Sequence, residues 1–395
     1  MQIQEPNQGQ GFALFNLGFR PFFLFAALSS MLFMTYWLML LGKGQSTYDY
    51  YLLSQIWHGH EMLFGYAAAV ITGFLLAAVR NWTSIQTPYG AKLAGLFLLW
   101  LAGRVLPIVS ELVTPLPAPL IAITDLLFLP LVALTIGIPI IRSGNYRNLV
   151  FTIILLALTL ANLLVHLQLL GVTQTTLASG LQLALGLIVV IMVVMGGRVI
   201  PFFTERALAF EAKRYTWLEP LIIPLAAAWL LADLFQLTLI TSLFAALNAL
   251  IHVIRLSGWF KLRMIRNPLI WILHLAYLFI PLGFALDALS GVIALSPYIA
   301  IHAFAAGAIG SMTIGMMARV SLGHTARPLK VAKITVVAFI LMAIAGVIRV
   351  FMPLIPELHM MGVHISGGLW MLSWLLFLIP YTPILLKPRL DGQFG

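Results

Sequence analysis

The sequence predicts an all-α, polytopic membrane protein of about twelve transmembrane helices. Three observations predict it. First, the 395 residues are 62% hydrophobic and only 9% charged, whereas a soluble chain carries about 25% charged residues. Second, the apolar runs are too long for ordinary core helices. Third, the basic residues gather at alternate ends of those runs, as they do when loops sort across a bilayer. The chain has no cysteine. That excludes disulfides, iron–sulfur clusters, thiolate zinc sites and covalent c-type heme.

In order, the spans are expected at 21–41, 56–79, 91–109, 119–141, 149–170, 178–199, 218–236, 237–256, 268–289, 296–318, 331–353 and 360–386. The breaks carry turn chemistry, as in Thr114-Pro115-Leu116-Pro117, Ser143-Gly144-Asn145 and Leu295-Ser296-Pro297. Spans seven and eight share a nearly continuous apolar run. The first nineteen residues are polar and mixed, without the basic stretch and small-residue cleavage site of a signal peptide. The first helix is therefore expected to be retained.

Orientation follows from Lys and Arg. If the N-terminus and every even-to-odd connection lie on one side, that side holds all of the 22 basic residues except Lys43, Arg104 and Arg349. Positively charged loops stay inside, so both termini are expected in the cytoplasm. The net charge of +10 is thus topological, and no nucleic-acid partner is expected.

The single transmembrane domain, 1–395, reads as three pseudo-repeats of four helices, 20–147, 148–266 and 267–389. Helices two, six and ten all finish at an arginine: Arg80, Arg198 and Arg319. Helix three carries Gly103-Arg104 and helix eleven carries Gly346-Val-Ile-Arg349. Twelve-helix transporters more often use two six-helix halves. Three four-helix arcs instead resemble the core subunit of heme-copper oxidases, in which helices two and ten supply histidines to a low-spin heme.

Here the same two helices carry outer-end histidines: Trp57-His58-Gly59-His60-Glu61-Met62 on helix two and His302 on helix ten. Ionisable groups at membrane depth are costly and count as functional candidates. Imidazole suits heme iron and copper. In a regular helix His58 and His60 point in different directions. Either the first turn is irregular or the two serve different purposes. Arg104 and Arg349, near the outer face, would pair with heme propionates, or with Asp125, Asp233 or Glu61 as structural ion pairs. Small residues at four-residue spacing, Gly65-Ala69-Gly73-Ala77 and Ala303-Gly307-Ser311-Gly315, permit close approach of a helix or of a flat ligand. His324 falls in a basic loop, and His166 and His364 fall in outer halves of their helices.

Several strings together form a signature: Gly18-Phe-Arg-Pro-Phe-Phe-Leu24, Trp57–Met62, Asn81-Trp-Thr83, Gly196-Gly-Arg-Val-Ile-Pro-Phe-Phe-Thr204, Gly315–Pro328 and Pro388-Arg-Leu-Asp-Gly392. They resemble the NnrS family over nearly the whole chain. The resemblance implies a heme- and copper-containing bacterial inner-membrane protein of the nitric oxide response. It makes His58, His60, His302 and His324 the motif histidines. One departure is Ala326, where the family is expected to favour Gly.

The expectation is therefore a multi-pass protein of the bacterial inner membrane, in contact with the lipid bilayer. It would bind heme b near the periplasmic side between helices two and ten, with nitric oxide as ligand or substrate. His302 and one of His58 or His60 would be axial ligands. Copper would take the remaining histidine with Glu61, His166 or His364. Heme-dependent nitric oxide redox chemistry is the enzymatic option. Helices six and seven lack histidine, which argues against ordinary oxygen reduction. The alternative is a transporter of a small anion or metal complex, with Arg104 and Arg349 binding substrate.

Overall fold

The computed structural model describes residues 11–42 and 54–395. Lys43 and the first ten residues lie outside them. The described residues are helical, with no strands, in twelve helices. They are α1 (Phe19–Gly42), α2 (54–83), α3 (Gly90–Leu112), α4 (Ala118–Arg142), α5 (Leu149–Leu169), α6 (Thr176–Leu208), α7 (Glu219–Leu234), α8 (Thr238–Trp259), α9 (Pro268–Ser290), α10 (Pro297–His324), α11 (Lys333–Phe351) and α12 (His359–Leu386). Eleven are long and apolar enough to cross a membrane. The exception is α7, 16 residues long, where a full crossing takes about 20.

Three features depart from plain spans. α6 and α10 run past Arg198 and Arg319 to Leu208 and His324. Arginine ends a stretch that tolerates hydrocarbon, but it is a good helix former. His324 is therefore the last residue of a helix, half-buried, and not in a loop. α4 is interrupted at Leu127, where Pro130 removes a backbone donor and crowds the preceding turn. Most relevant to the site, α2 and α10 each contain a π-helical turn, Glu61–Ala67 and Ala303–Ile309. Each begins directly after a histidine, His60 and His302.

The chain forms two compact units. The first comprises the described residues of Met1–Ala184 with Arg319–Leu329 and Phe377–Gly395; the second comprises Leu185–Ala318 and Lys330–Leu376.

In unit one α2 packs against α1 and α4, and α4 against α5. Gly73 makes the first contact: a Cβ there would lie 3.0 Å from the Phe22 and Phe23 side chains. Three signature strings meet at the end assigned to the cytoplasm. Arg20, fully buried, donates to the carbonyls of Leu385 (2.8 Å) and Lys387 (2.8 Å) at the end of α12. Arg389 donates to the carbonyl of His324, and the Leu390 amide to that of Thr325, each at 3.3 Å. The His324 ring lies against Phe19, 5.6 Å between centroids.

In unit two α9 packs along α8 and α10, and α10 along α11. Gly346 of α11 meets Gly307 of α10 so closely that a Cβ on Gly346 would sit 2.8 Å from the Gly307 Cα. A Cβ on Gly315 would sit 2.8 Å from Ile272. In both α2 and α10 the small-residue stripes thus serve helix-to-helix contact, the first of their two readings.

Candidate metal centre

The two histidines of helix two go to different places. His58 is half-buried and stacks on Trp37 of α1, 4.8 Å between centroids at 14°. His60 is fully buried inside unit one. The π turn that starts at Glu61 widens the backbone, so Glu61 follows His60 into the interior.

Around His60 lies a closed network of five side chains. Nδ1 of His60 is 3.1 Å from Glu61 Oε1. Its Nε2 is 3.0 Å from Asn162 Oδ1 and 3.2 Å from Asp125 Oδ2. Asn162 donates to Asp125 Oδ2 at 2.8 Å, and His166 Nε2 reaches the same oxygen at 2.9 Å. Arg104 closes the ring, donating to Glu61 Oε1 at 2.8 Å and also pairing with Asp125. All six residues are buried. Burying charges in this way is tolerated only because each carboxylate meets a cation.

The network decides the role of Arg104. Its partners are Glu61 and Asp125, so it forms structural ion pairs, and the propionate reading fails for this arginine. It also brings together three proposed ligands, His60, Glu61 and His166. Asp125, expected only as an ion-pair partner for an arginine, is the hub, since it also meets both histidines. Asn162 carried a signal in the sequence: it lies four residues before His166 and shares its helix face.

The donor set fits a metal ion. Among the described residues, one ligand atom each from His60, Asp125 and His166 all lie within 4.8 Å of one another. Nitrogen and oxygen donors at about 2.0–2.1 Å from one tetrahedral ion stand about 3.3 Å apart, close to the 2.9 and 3.2 Å found here. Glu61 on the far nitrogen of His60 supplies the orienting carboxylate that metal-bound imidazoles use. Glu61 Oε2 and Arg104 Nε are buried without a hydrogen-bond partner among the described residues. The centre thus retains polar capacity that its own side chains do not satisfy.

Unit two holds the other motif histidine. His302 Nδ1 donates to the Tyr298 carbonyl at 2.7 Å. That bond selects the tautomer with its lone pair on Nε2, as for a metal-bound imidazole. Arg349 is half-buried on α11, three residues beyond Gly346, and forms no ion pair or hydrogen bond with a described residue. Since α11 runs antiparallel to α10 through the Gly346–Gly307 contact, Arg349 stands level with Phe304, within a turn of His302. The ion pair with Asp233 does not form. These residues fit one side of a heme, with an imidazole for iron and a guanidinium for a propionate.

The remaining candidates are separate. His364 is exposed on α12, and His324 belongs to the clasp in unit one.

A many-helix membrane fold with buried, histidine-rich polar centres defines a multi-pass membrane protein with the ligand chemistry of a metalloprotein. A family model described as NnrS protein matches residues 13–389. The chain belongs to the NnrS family. No curated protein matches it in sequence.

Proposed function

We propose that the protein is a heme- and copper-binding membrane protein of the nitric oxide response, with its metal groups near the periplasmic face of the bacterial inner membrane. The carrying observation is the pair of π turns. Each opens directly after a histidine of the family signature, His60 and His302. Such turns inside α-helices concentrate at functional sites. His302 would bind heme b with Arg349 holding a propionate. His60, Asp125 and His166 would hold copper, oriented by Glu61. When bound, heme supplies an iron that takes nitric oxide and exchanges single electrons. The protein's part is to exclude water, fix the imidazole tautomers and balance charge.

A second reading, transport of a small anion, is favoured by Arg349 alone, a guanidinium in a membrane helix with no ion-pair or hydrogen-bond partner among the described residues.

Absorption spectra of the detergent-purified protein, oxidised and dithionite-reduced, separate the two. We expect sharp reduced bands that disappear in His302→Ala. Metal analysis is expected to find copper in the wild type and none in His166→Ala, with Glu61→Gln weakening copper affinity about 10–100-fold. A colourless wild-type protein, made with ample heme, overturns the heme reading in favour of transport.

A further inference from the structure

Unit two contains a second polar centre that the metal reading leaves unused. Arg255 of α8 takes both carboxylate oxygens of Glu219, at 2.9 Å through Nε and 2.5 Å through Nη2. Its Nη1 donates to the Val193 carbonyl at 2.7 Å and to the Tyr277 hydroxyl at 3.0 Å. The paired glycines of the signature string Gly196–Thr204 make room for this. A Cβ on Gly196 would lie 2.9 Å from the Tyr277 ring, and one on Gly197 would overlap the Arg255 guanidinium.

A guanidinium has donors only. Tyr277 therefore accepts from Arg255, and its own proton is directed to His252 Nδ1, 2.8 Å away. Both residues are fully buried. The result is a phenol hydrogen-bonded to a base in a dry interior. Trp229 repeats the pattern, its indole N–H donating to Asp287 Oδ2 at 2.7 Å. The two oxidisable rings are joined by others. Trp229 to Phe284 is 5.0 Å between centroids, Phe284 to His252 5.7 Å, His252 to Tyr277 5.6 Å and Tyr277 to Trp259 4.9 Å. At one end Trp229 lies 5.9 Å from Phe304, two residues after His302. At the other, Trp259 ends α8, on the side that the basic residues assign to the cytoplasm.

We propose that this chain of rings carries single oxidising equivalents from the membrane interior to the cytoplasmic face, with Tyr277 and His252 as its proton-coupled station. The oxidant is of the nitrogen dioxide class, formed where nitric oxide meets dioxygen in the bilayer. It takes one electron from Tyr277 and leaves as nitrite. The phenolic O–H bond breaks, the proton passes to His252 Nδ1, and a neutral phenoxyl radical faces an imidazolium. An electron from a cytoplasmic thiol, arriving through Trp259, reduces the phenoxyl, which recovers its proton from His252. The thiol ends as a thiyl radical and a released proton. The inference takes only the nitrogen-oxide setting from the proposed function and needs no heme, so the two fail separately.

The test is electron paramagnetic resonance of the purified, full-length protein, frozen after nitrogen dioxide is generated in the sample. We expect a tyrosyl signal that narrows when the protein carries ring-deuterated tyrosine. It should be lost in Tyr277→Phe, fall at least ten-fold in His252→Gln and, with a thiol such as glutathione added, decay at least ten-fold more slowly in Trp259→Phe. Tyr146→Phe, at an exposed position, should leave it unchanged. A signal of wild-type size in Tyr277→Phe or His252→Gln overturns the inference. So does a wild-type protein whose radical is indifferent to tyrosine deuteration, a measurement that needs no variant to fold.

Discussion

Ala326 has a backbone φ of 55°, the left-handed region, just after α10 ends at His324. Helices commonly close on such a residue, and glycine is the usual one because a Cβ is strained there. The departure read in the sequence at this position therefore has a conformational meaning. Ala326→Gly is expected to stabilise the protein by about 1 kcal/mol, seen as a higher midpoint in thermal unfolding in detergent. Arg104 lies at the opposite extreme. Removing it leaves Glu61 and Asp125 buried and unpaired, so Arg104→Ala is expected to cost about 3–5 kcal/mol and to lower the same midpoint. Residue identity was legible where chemistry is rare in a membrane. His60, Glu61 and His166 were recognisable because ionisable groups are costly there. The hub role of Asp125 was not, because it depends on which helices face each other, and no spacing within one helix reveals that. His302 and Arg349 stood out from their chemistry, whereas the pairing of Arg104 depends on two other helices bringing Glu61 and Asp125 to it.

At the scale of elements, the π turns matter most. A π turn holds one residue more than the α-helix it interrupts, and that residue resets the angle of everything before it. Deleting one residue within 61–67 would turn the His58–His60 segment by about 100° about the helix axis. We expect that deletion to abolish copper binding while the protein still inserts and migrates as a single species in size-exclusion chromatography. The sequence showed that His58 and His60 could not share one metal in a regular helix, which correctly posed the choice. It did not show the π turn, since hydrophobic periodicity is insensitive to a shift of one backbone hydrogen bond. The glycine stripes were visible, but their use was not. Gly346→Ala tests that use: its Cβ would press on the backbone of Gly307, and we expect about 1–3 kcal/mol of destabilisation.

For the whole molecule, helix number and class were legible because a bilayer demands length and apolarity, which are properties of single segments. Helix ends were less legible at Arg198 and Arg319, where the helix outlasts its hydrophobic stretch. The two-unit division was not legible, because unit one is assembled from three separated stretches of chain. The three-repeat plan stands as a proposal, supported by the matching π turns after His60 and His302. Orientation is directly testable, because the chain has no cysteine to interfere. A membrane-impermeant maleimide is expected to label Thr173→Cys from outside intact cells' inner membranes, and Gly144→Cys only after permeabilisation. Labelling of Gly144→Cys first would reverse the assigned sides.

Arg20 lies 365 residues from Leu385 and 367 from Lys387, the carbonyls it holds. On a ribosome adding roughly 5–20 residues per second, the first helix waits roughly 20 to 75 s for those carbonyls to be made. Through that interval a guanidinium destined for full burial must be kept company by water, lipid headgroups or the insertion machinery. Early release or truncation before residue 384 would leave that charge stranded, which makes nascent chains of this protein natural clients for membrane quality control.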